Sequence, residues 1–250
     1  MRILGIESAS MVASAALVID GEVAAEFTLN RKKTHSQTLL PLIDGMFRLV
    51  EEDPESLDAI AVSGGPGSFT GLRIGSSTAK GIGLALKKPL IHVPTLDAFA
   101  YGTAGTDYLI CPMFDARRKQ VYTGLYRHAD TFRVEKEQWM AQIKDLIEEL
   151  NRRGEKVLLL GDGADSCREE LEAGLLVPHI FAPAPANRQR AASVAALGEI
   201  YYKEGKIESA EAHTPDYLRK SQAERERDLA EKLGEMDKLA AGIVIHGAED

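Results

Sequence analysis

The hydrophobic positions of this chain change period several times, and each change marks an element. Ile3 to Ile6 is a continuous apolar run, closed by the polar turn Glu7-Ser8-Ala9-Ser10. Val12 to Ile19 and Glu22 to Leu29 read as two more strands, joined at Asp20-Gly21, a dipeptide that favours a tight hairpin. These segments predict a three-stranded antiparallel meander. From His35 the spacing shifts to three and four through Leu39, Leu40, Ile43, Met46, Phe47 and Val50, which predicts a helix. Pro41 falls in its early part, where proline costs less than deep in a helix. Leu57 to Val62 returns to a strand, Leu72 to Leu86 to a helix, and Pro89 to Val93 to a short strand. Pro94-Thr95-Leu96-Asp97 opens a brief helix through Phe99 and Tyr101.

The second half begins in the same way. Tyr108 to Phe114 reads as a strand, and Pro112 requires it to be an edge or bulged. Gln120 to Arg127 alternates as the next strand, and Phe132 with Val134 marks a third. Trp139 to Leu150 predicts an amphipathic helix, Val157 to Leu160 a strand, Ala164 to Ala173 a helix and Val177 to Phe181 a short extended piece. After a linker at Pro183-Ala184-Pro185, Ala191 to Tyr202 predicts a helix. The order of the first half thus partly repeats, which predicts a duplicated α/β unit with a doubly wound sheet and antiparallel opening strands. The boundaries are 1–104 for the first lobe, 105–210 for the second and 211–250 for a C-terminal segment. In that segment Leu229, Leu233 and Met236 give a thin apolar stripe within a charged stretch.

The stretch that organises the chain is Ser63-Gly64-Gly65-Pro66-Gly67-Ser68-Phe69-Thr70-Gly71-Leu72-Arg73-Ile74-Gly75, between a strand and a helix. Its glycines permit a tight turn, and Ser68 or Thr70 is placed to cap the helix. Such a turn aims N–H groups at an anion or simply reverses the chain. It is neither a Walker A loop nor a dinucleotide fingerprint. Gly65, Gly67 and Ser68 are therefore candidate anion or nucleotide contacts. Glu7 and Asp115, each ending an apolar strand, are candidate cleft carboxylates for Mg²⁺ or water. Gly71, Gly75, Ala79 and Gly83 form a stripe of small residues that suits close internal packing or a subunit interface. Arg73 is placed to meet a phosphate or an ion-pair partner.

Composition narrows the chemistry. A formal net charge of −8 argues against autonomous nucleic-acid binding, though not against a place beside RNA in a complex. Cys111 and Cys167 lie far apart, which argues against a disulfide scaffold. The first residues run straight into a strand without a signal-peptide layout, and no apolar run spans a membrane, so a cytoplasmic protein is expected. The six histidines share no metal-ligand spacing, so a catalytic zinc or iron site is not expected.

Several segments together resemble the TsaB (YeaZ) family. They are the glycine stretch through Ala79-Lys80-Gly81, Ile3 to Ala9, His35 to Pro41, Asp115 to Tyr122 and Pro215-Asp216-Tyr217-Leu218-Arg219. The opening Glu7-Ser8-Ala9 departs from the family's usual Asp-Thr-Ser. The resemblance implies a two-lobed actin-like ATPase fold (ASKHA, ribonuclease H-like). It implies a non-catalytic partner of TsaD, the enzyme that threonylcarbamoylates N6 of adenosine 37 in tRNAs reading ANN codons. TsaD holds a metal through histidines that this chain lacks at Val93-Pro94-Thr95-Leu96-Asp97-Ala98. TsaE, an ATPase, joins the assembly; ATP and Mg²⁺ belong to the wider complex, and this chain requires no cofactor. Contact with tRNA is indirect, and a homodimer forms when TsaD is absent. The implied partner interface comprises His35, Leu39, Leu42, Met46, Gly71, Arg73, Gly75, Ala79 and Gly83. Gly75→Leu is then expected to weaken pairing while leaving the fold largely intact. The rival reading is an actin-like kinase or peptidase-like enzyme that uses the 63–75 loop for phosphate.

Overall fold

The computed structural model describes residues 1–31 and 33–218. Residues Met1–Asp216 form one compact unit. The apolar stripe expected at Leu229 to Met236 lies outside the described residues. Within this unit are two five-stranded sheets. The first contains β1 (Arg2–Glu7), β2 (Val12–Ile19), β3 (Glu22–Asn30), β4 (Ala59–Gly65) and β5 (Leu90–Pro94), in the order β3-β2-β1-β4-β5. The second contains β6 (Thr106–Arg117), β7 (Gln120–His128), β8 (Phe132–Gln142), β9 (Val157–Leu160) and β10 (His179–Phe181), in the order β10-β9-β6-β7-β8. Read from its far edge, the second order repeats the first strand for strand. In both sheets the opening three strands are antiparallel and the last two join in parallel. The duplication read from the order of elements is therefore present in the hydrogen bonding.

Local chemistry explains the turns. Asp20 and Gly21 both take positive φ, which gives the twist that a two-residue hairpin loop needs between Ile19 and Glu22. The seven helices are α1 (His35–Val50), α2 (Phe69–Leu86), α3 (Thr95–Tyr101), α4 (Ile143–Arg153), α5 (Asp162–Ser166), α6 (Arg168–Gly174) and α7 (Ala191–Lys203), counted among the described residues. Two expectations need correction. Trp139 to Gln142 continues β8, with Trp139 opposite Thr123, so α4 starts only at Ile143. Pro112 sits in β6, the central strand of its sheet, and not at an edge. Its parallel partner is Leu160, and its carbonyl accepts from Thr123 Oγ1 at 2.9 Å, so a side chain on β7 shares the pairing there.

Alternation along β1 separates two cores. Leu4 and Ile6 face α1 and α2, beside Leu39, Met46 and Ala79. Ile3 faces the other side, with Ala61, Ile91, Val93, Val194 and Leu197. Helix α7 follows the second sheet in the chain but packs on the first. A Cβ on Gly5 would lie 2.3 Å from the Ala191 carbonyl oxygen, so only glycine admits this approach.

Helix α3 contributes to the cores of both sheets: Ala98 to the first, and Leu96, Phe99 and Ala100 to the second. Asp97 accepts a hydrogen bond from Tyr126 OH at 2.8 Å and one from Tyr201 OH at 3.4 Å. Burial holds the Asp97 carboxyl above the usual range, and the two hydroxyls offset part of that. Tyr126→Phe leaves a buried carboxylate oxygen without its shorter donor and is expected to lower stability by about 1–3 kcal/mol, measured by urea unfolding. Tyr201→Phe removes the longer bond and should cost less.

Candidate functional site

The glycine stretch leaves β4 and enters α2 in a loop whose polar groups turn inward. Gly65 N–H donates to Thr95 Oγ1 at 3.0 Å, and its carbonyl accepts from Gln138 Nε2 at 3.0 Å. Ser68 N–H donates to the Ala9 carbonyl at 2.6 Å. Ser68 Oγ caps α2 by accepting from Gly71 N–H at 3.3 Å, in keeping with its residue type. The N–H groups of Gly65, Ser68 and Gly71 are thus satisfied within the chain.

The glycines are required by close approach. A Cβ on Gly64 would lie 2.1 Å from the His92 ring, one on Gly65 2.3 Å from the Asp216 carbonyl oxygen, and one on Gly67 2.4 Å from the Ala9 carbonyl oxygen. Gly65 also holds a φ of +124°.

Glu7 lies behind this loop and is fully buried. Its Oε1 accepts from Ala9 N–H at 2.6 Å, whereas Oε2 has no hydrogen-bond partner. Burial pushes the carboxyl up to about 7, against hydrogen bonds from Ala9, Ser63 and Ser8. Asp115 is exposed; its Oδ1 accepts from Arg117 N–H at 2.7 Å, and its own N–H donates to Asp162 Oδ1 at 3.1 Å. Of the two candidate cleft carboxylates, Glu7 is sealed inside its sheet and Asp115 shapes a surface turn. The turn at Arg117, Arg118 and Lys119 takes positive φ at all three residues.

A family profile described as "TsaD: tRNA N6-adenosine threonylcarbamoyltransferase" matches residues 22–227. Over 228 residues the chain is 33% identical to the tRNA threonylcarbamoyladenosine biosynthesis protein TsaB of Bacillus subtilis, covering 90% of this chain and 96% of that protein. The chain belongs to the TsaB family.

The TsaB of Escherichia coli is 31% identical over 229 residues, covering 89% of this chain and 96% of that protein. A crystal structure from Pseudomonas aeruginosa, described as similar to peptidase YEAZ, superposes with a TM-score of 0.74 at 22% identity, over 87% of this chain and 99% of that one. Together with the repeated strand order, this is the two-lobed actin-like ATPase fold. Family membership associates the chain with tRNA threonylcarbamoyladenosine biosynthesis. No helix among the described residues is long and apolar enough to cross a membrane.

The residues expected at a TsaB partner interface divide sharply. The small-residue stripe faces inward. A Cβ on Gly71 would lie 2.1 Å from the Ser8 carbonyl oxygen, one on Gly75 2.2 Å from Ser8 Oγ, and one on Gly83 2.5 Å from Leu90 Cδ1. Ala79 is fully buried. The stripe therefore seats α2 on its own sheet and does not serve as a docking surface. Gly75→Leu would disrupt the Ser8 contact instead of sparing the fold. Leu39 and Met46 also point into the core. Leu42 is half-buried against the same core, and His35 Nε2 is 2.8 Å from the Ser10 carbonyl oxygen. Arg73 is exposed, with its guanidinium 4.4 Å from the Phe69 ring centroid. The outward faces of α1 and α2 instead present Leu40, Thr70, Arg73, Ser77 and Leu84.

Sequence spacing missed one grouping. His92, Glu208 and His213 can each supply a donor atom within 4.8 Å of the other two, and no other such group of three or more occurs among the described residues. The signal was weak but present. In Leu90-Ile91-His92-Val93, alternation puts His92 on the Leu90 side, and Leu90 packs in the core with α1 and α2.

Proposed function

We propose that this TsaB-family chain is a non-catalytic partner that supports a TsaD threonylcarbamoyltransferase in modifying N6 of adenosine 37 in tRNAs reading ANN codons. The observation that carries the reading is the glycine loop. A phosphate held there would compete for the N–H groups of Gly65, Ser68 and Gly71, which already donate to Thr95, Ala9 and Ser68. Glu7, the acid nearest in sequence to the usual family aspartate, is sealed and lacks access to a hydrated Mg²⁺. In this reading ATP and Mg²⁺ serve TsaE and TsaD, and tRNA is reached through the complex.

The docking face is the outer side of α1 and α2. Leu40 is 57% exposed and Leu84 49%, and Arg73 on α2 is also exposed. Exposed leucines and an arginine on these outward faces suit a helical partner surface. When TsaD is absent the same face takes a second copy of the chain.

Reconstitution tests the role. The chain is mixed with TsaD, TsaE, ATP, threonylcarbamoyl-adenylate and unmodified tRNA, and each protein is omitted in turn. Loss of adenosine 37 modification without this chain, and none from the chain alone, is the expected outcome. Unchanged modification in its absence, or ATP turnover by the isolated chain, would return the loop to the enzyme reading. Leu40→Asp combined with Arg73→Glu touches exposed positions only. It should weaken TsaD binding about tenfold or more in titration calorimetry, at unchanged thermal stability.

A further inference from the structure

The segment after α7 returns across the first sheet and folds against β5. Glu208 and Leu90 exchange both backbone hydrogen bonds at 2.9 Å. Ala212 and His213 N–H both donate to the Ser209 carbonyl, which closes a tight turn. Lys80 Nζ donates to the carbonyls of Glu211 and His213, each at 3.0 Å, and Asp216 N–H donates to the Gly64 carbonyl at 2.7 Å. The backbone therefore holds three side chains around one point beside β5.

His213 is 1% exposed. Its Nδ1 lies 2.6 Å from Glu208 Oε1, and its Nε2 is buried with no hydrogen-bond partner. The His92 ring centroid is 5.7 Å away. His92 Nε2 is also buried without a hydrogen bond, although Asp216 Oδ2 stands 3.2 Å from it outside hydrogen-bond geometry. Two orphaned imidazole nitrogens in one buried spot are unusual, since buried polar groups are nearly always satisfied.

We propose that the orphaned Nε2 atoms of His92 and His213 bind a divalent transition ion of the zinc class, with Asp216 at hand as an oxygen ligand and Glu208 orienting His213 through Nδ1. Two imidazoles with a carboxylate suit zinc or cobalt, whereas magnesium and calcium favour all-oxygen sites. The ion ties residues 208–216 to β5, a strand in sequence far from them. Lys80 opposes the cation's charge, and the carboxylates of Glu208 and Asp216 outweigh it. This site lies on one chain and does not depend on the partner role proposed above.

The test uses the untagged full chain, stripped with chelator and titrated with Zn²⁺ and Co²⁺. Expected results are one bound ion per chain, a visible Co²⁺ spectrum of four-coordinate type, and a higher thermal midpoint with zinc. His92→Asn and His213→Ala should each lose the ion, and Glu208→Gln should bind it about 10- to 100-fold more weakly. His92 lies on a partly exposed ring edge, so His92→Asn keeps the test open should His213→Ala fail to fold. His128→Ala, a histidine outside the cluster, should retain the ion. No ion held by the wild-type chain at about micromolar free zinc, or equal binding by His92→Asn, would overturn the proposal.

Discussion

Gly71→Ala is expected to destabilise the chain by about 3 kcal/mol, although the same change inside an exposed helix ordinarily stabilises it by about 1 kcal/mol. The reversal has a geometric cause. A Cβ at Gly71 would sit 2.1 Å from the Ser8 carbonyl oxygen, a backbone atom that does not swing aside. That same region is pinned by Ser8 Oγ donating to the Gly71 carbonyl at 2.9 Å. The whole first turn of α2 would have to lift from the end of β1, loosening the loop behind it. Gly81, in the same helix, supplies the control. It is exposed and a Cβ there meets nothing within 4 Å, so Gly81→Ala should raise stability by about 0.5–1 kcal/mol. Urea unfolding of the two variants checks the pair. Equal effects of the same sign would mean that α2 does not rest on Ser8 as described.

Glu7→Gln is expected to stabilise the chain at pH 8 and to leave it nearly unchanged at pH 4. The folded carboxyl is pushed up to about 7 from 4.5. Below 4.5 the group is protonated in both states and contributes nothing. Between 4.5 and about 7 the unfolded chain releases the proton while the folded chain keeps it, so the native state loses ground as pH rises. Above about 7 the loss is constant, at up to about 3 kcal/mol. Glutamine is permanently neutral, and its carbonyl can still accept from Ala9 N–H. The measurement is the difference in unfolding free energy between wild type and variant across pH 4–8. Subtraction isolates Glu7 from surface carboxylates such as Glu149 and Asp107, whose depressed pKa values give the opposite slope. A difference that does not grow with pH would show that Glu7 is ionised in the folded state.

These two residues also show how the chain encodes its site. Burial of Glu7 was not legible from an acid at the end of a strand, since such acids commonly form turns. It becomes so only when β4, the loop and α2 close over the end of β1. The resemblance pointed to Gly71, Gly75, Ala79 and Gly83 as a contact surface, and the four-residue spacing correctly reported close approach. What approaches is the chain's own Ser8 and Leu90.

By itself the sequence determined the elements and their repetition. Periods of two and of three to four are local, and they reflect which faces must leave water. The hairpin at Asp20-Gly21 and the Ser68 cap are likewise local, so the duplicated α/β order could be read directly. The boundary of α4 was misread because Trp139 to Gln142 satisfies a helical pattern, yet pairing with β7 extends β8 through it. The tertiary structure alone decided which polar atoms lose their partners. His92 and His213 are 121 positions apart, and no spacing rule links them. Backbone pairing of Glu208 with Leu90 and the turn at Ser209 bring their rings together, because a strand edge and a returning segment meet there. Packing also decided that the loop resembling a phosphate cradle is filled by Ala9, His92 and Asp216, since only folded neighbours can occupy the space that its glycines leave.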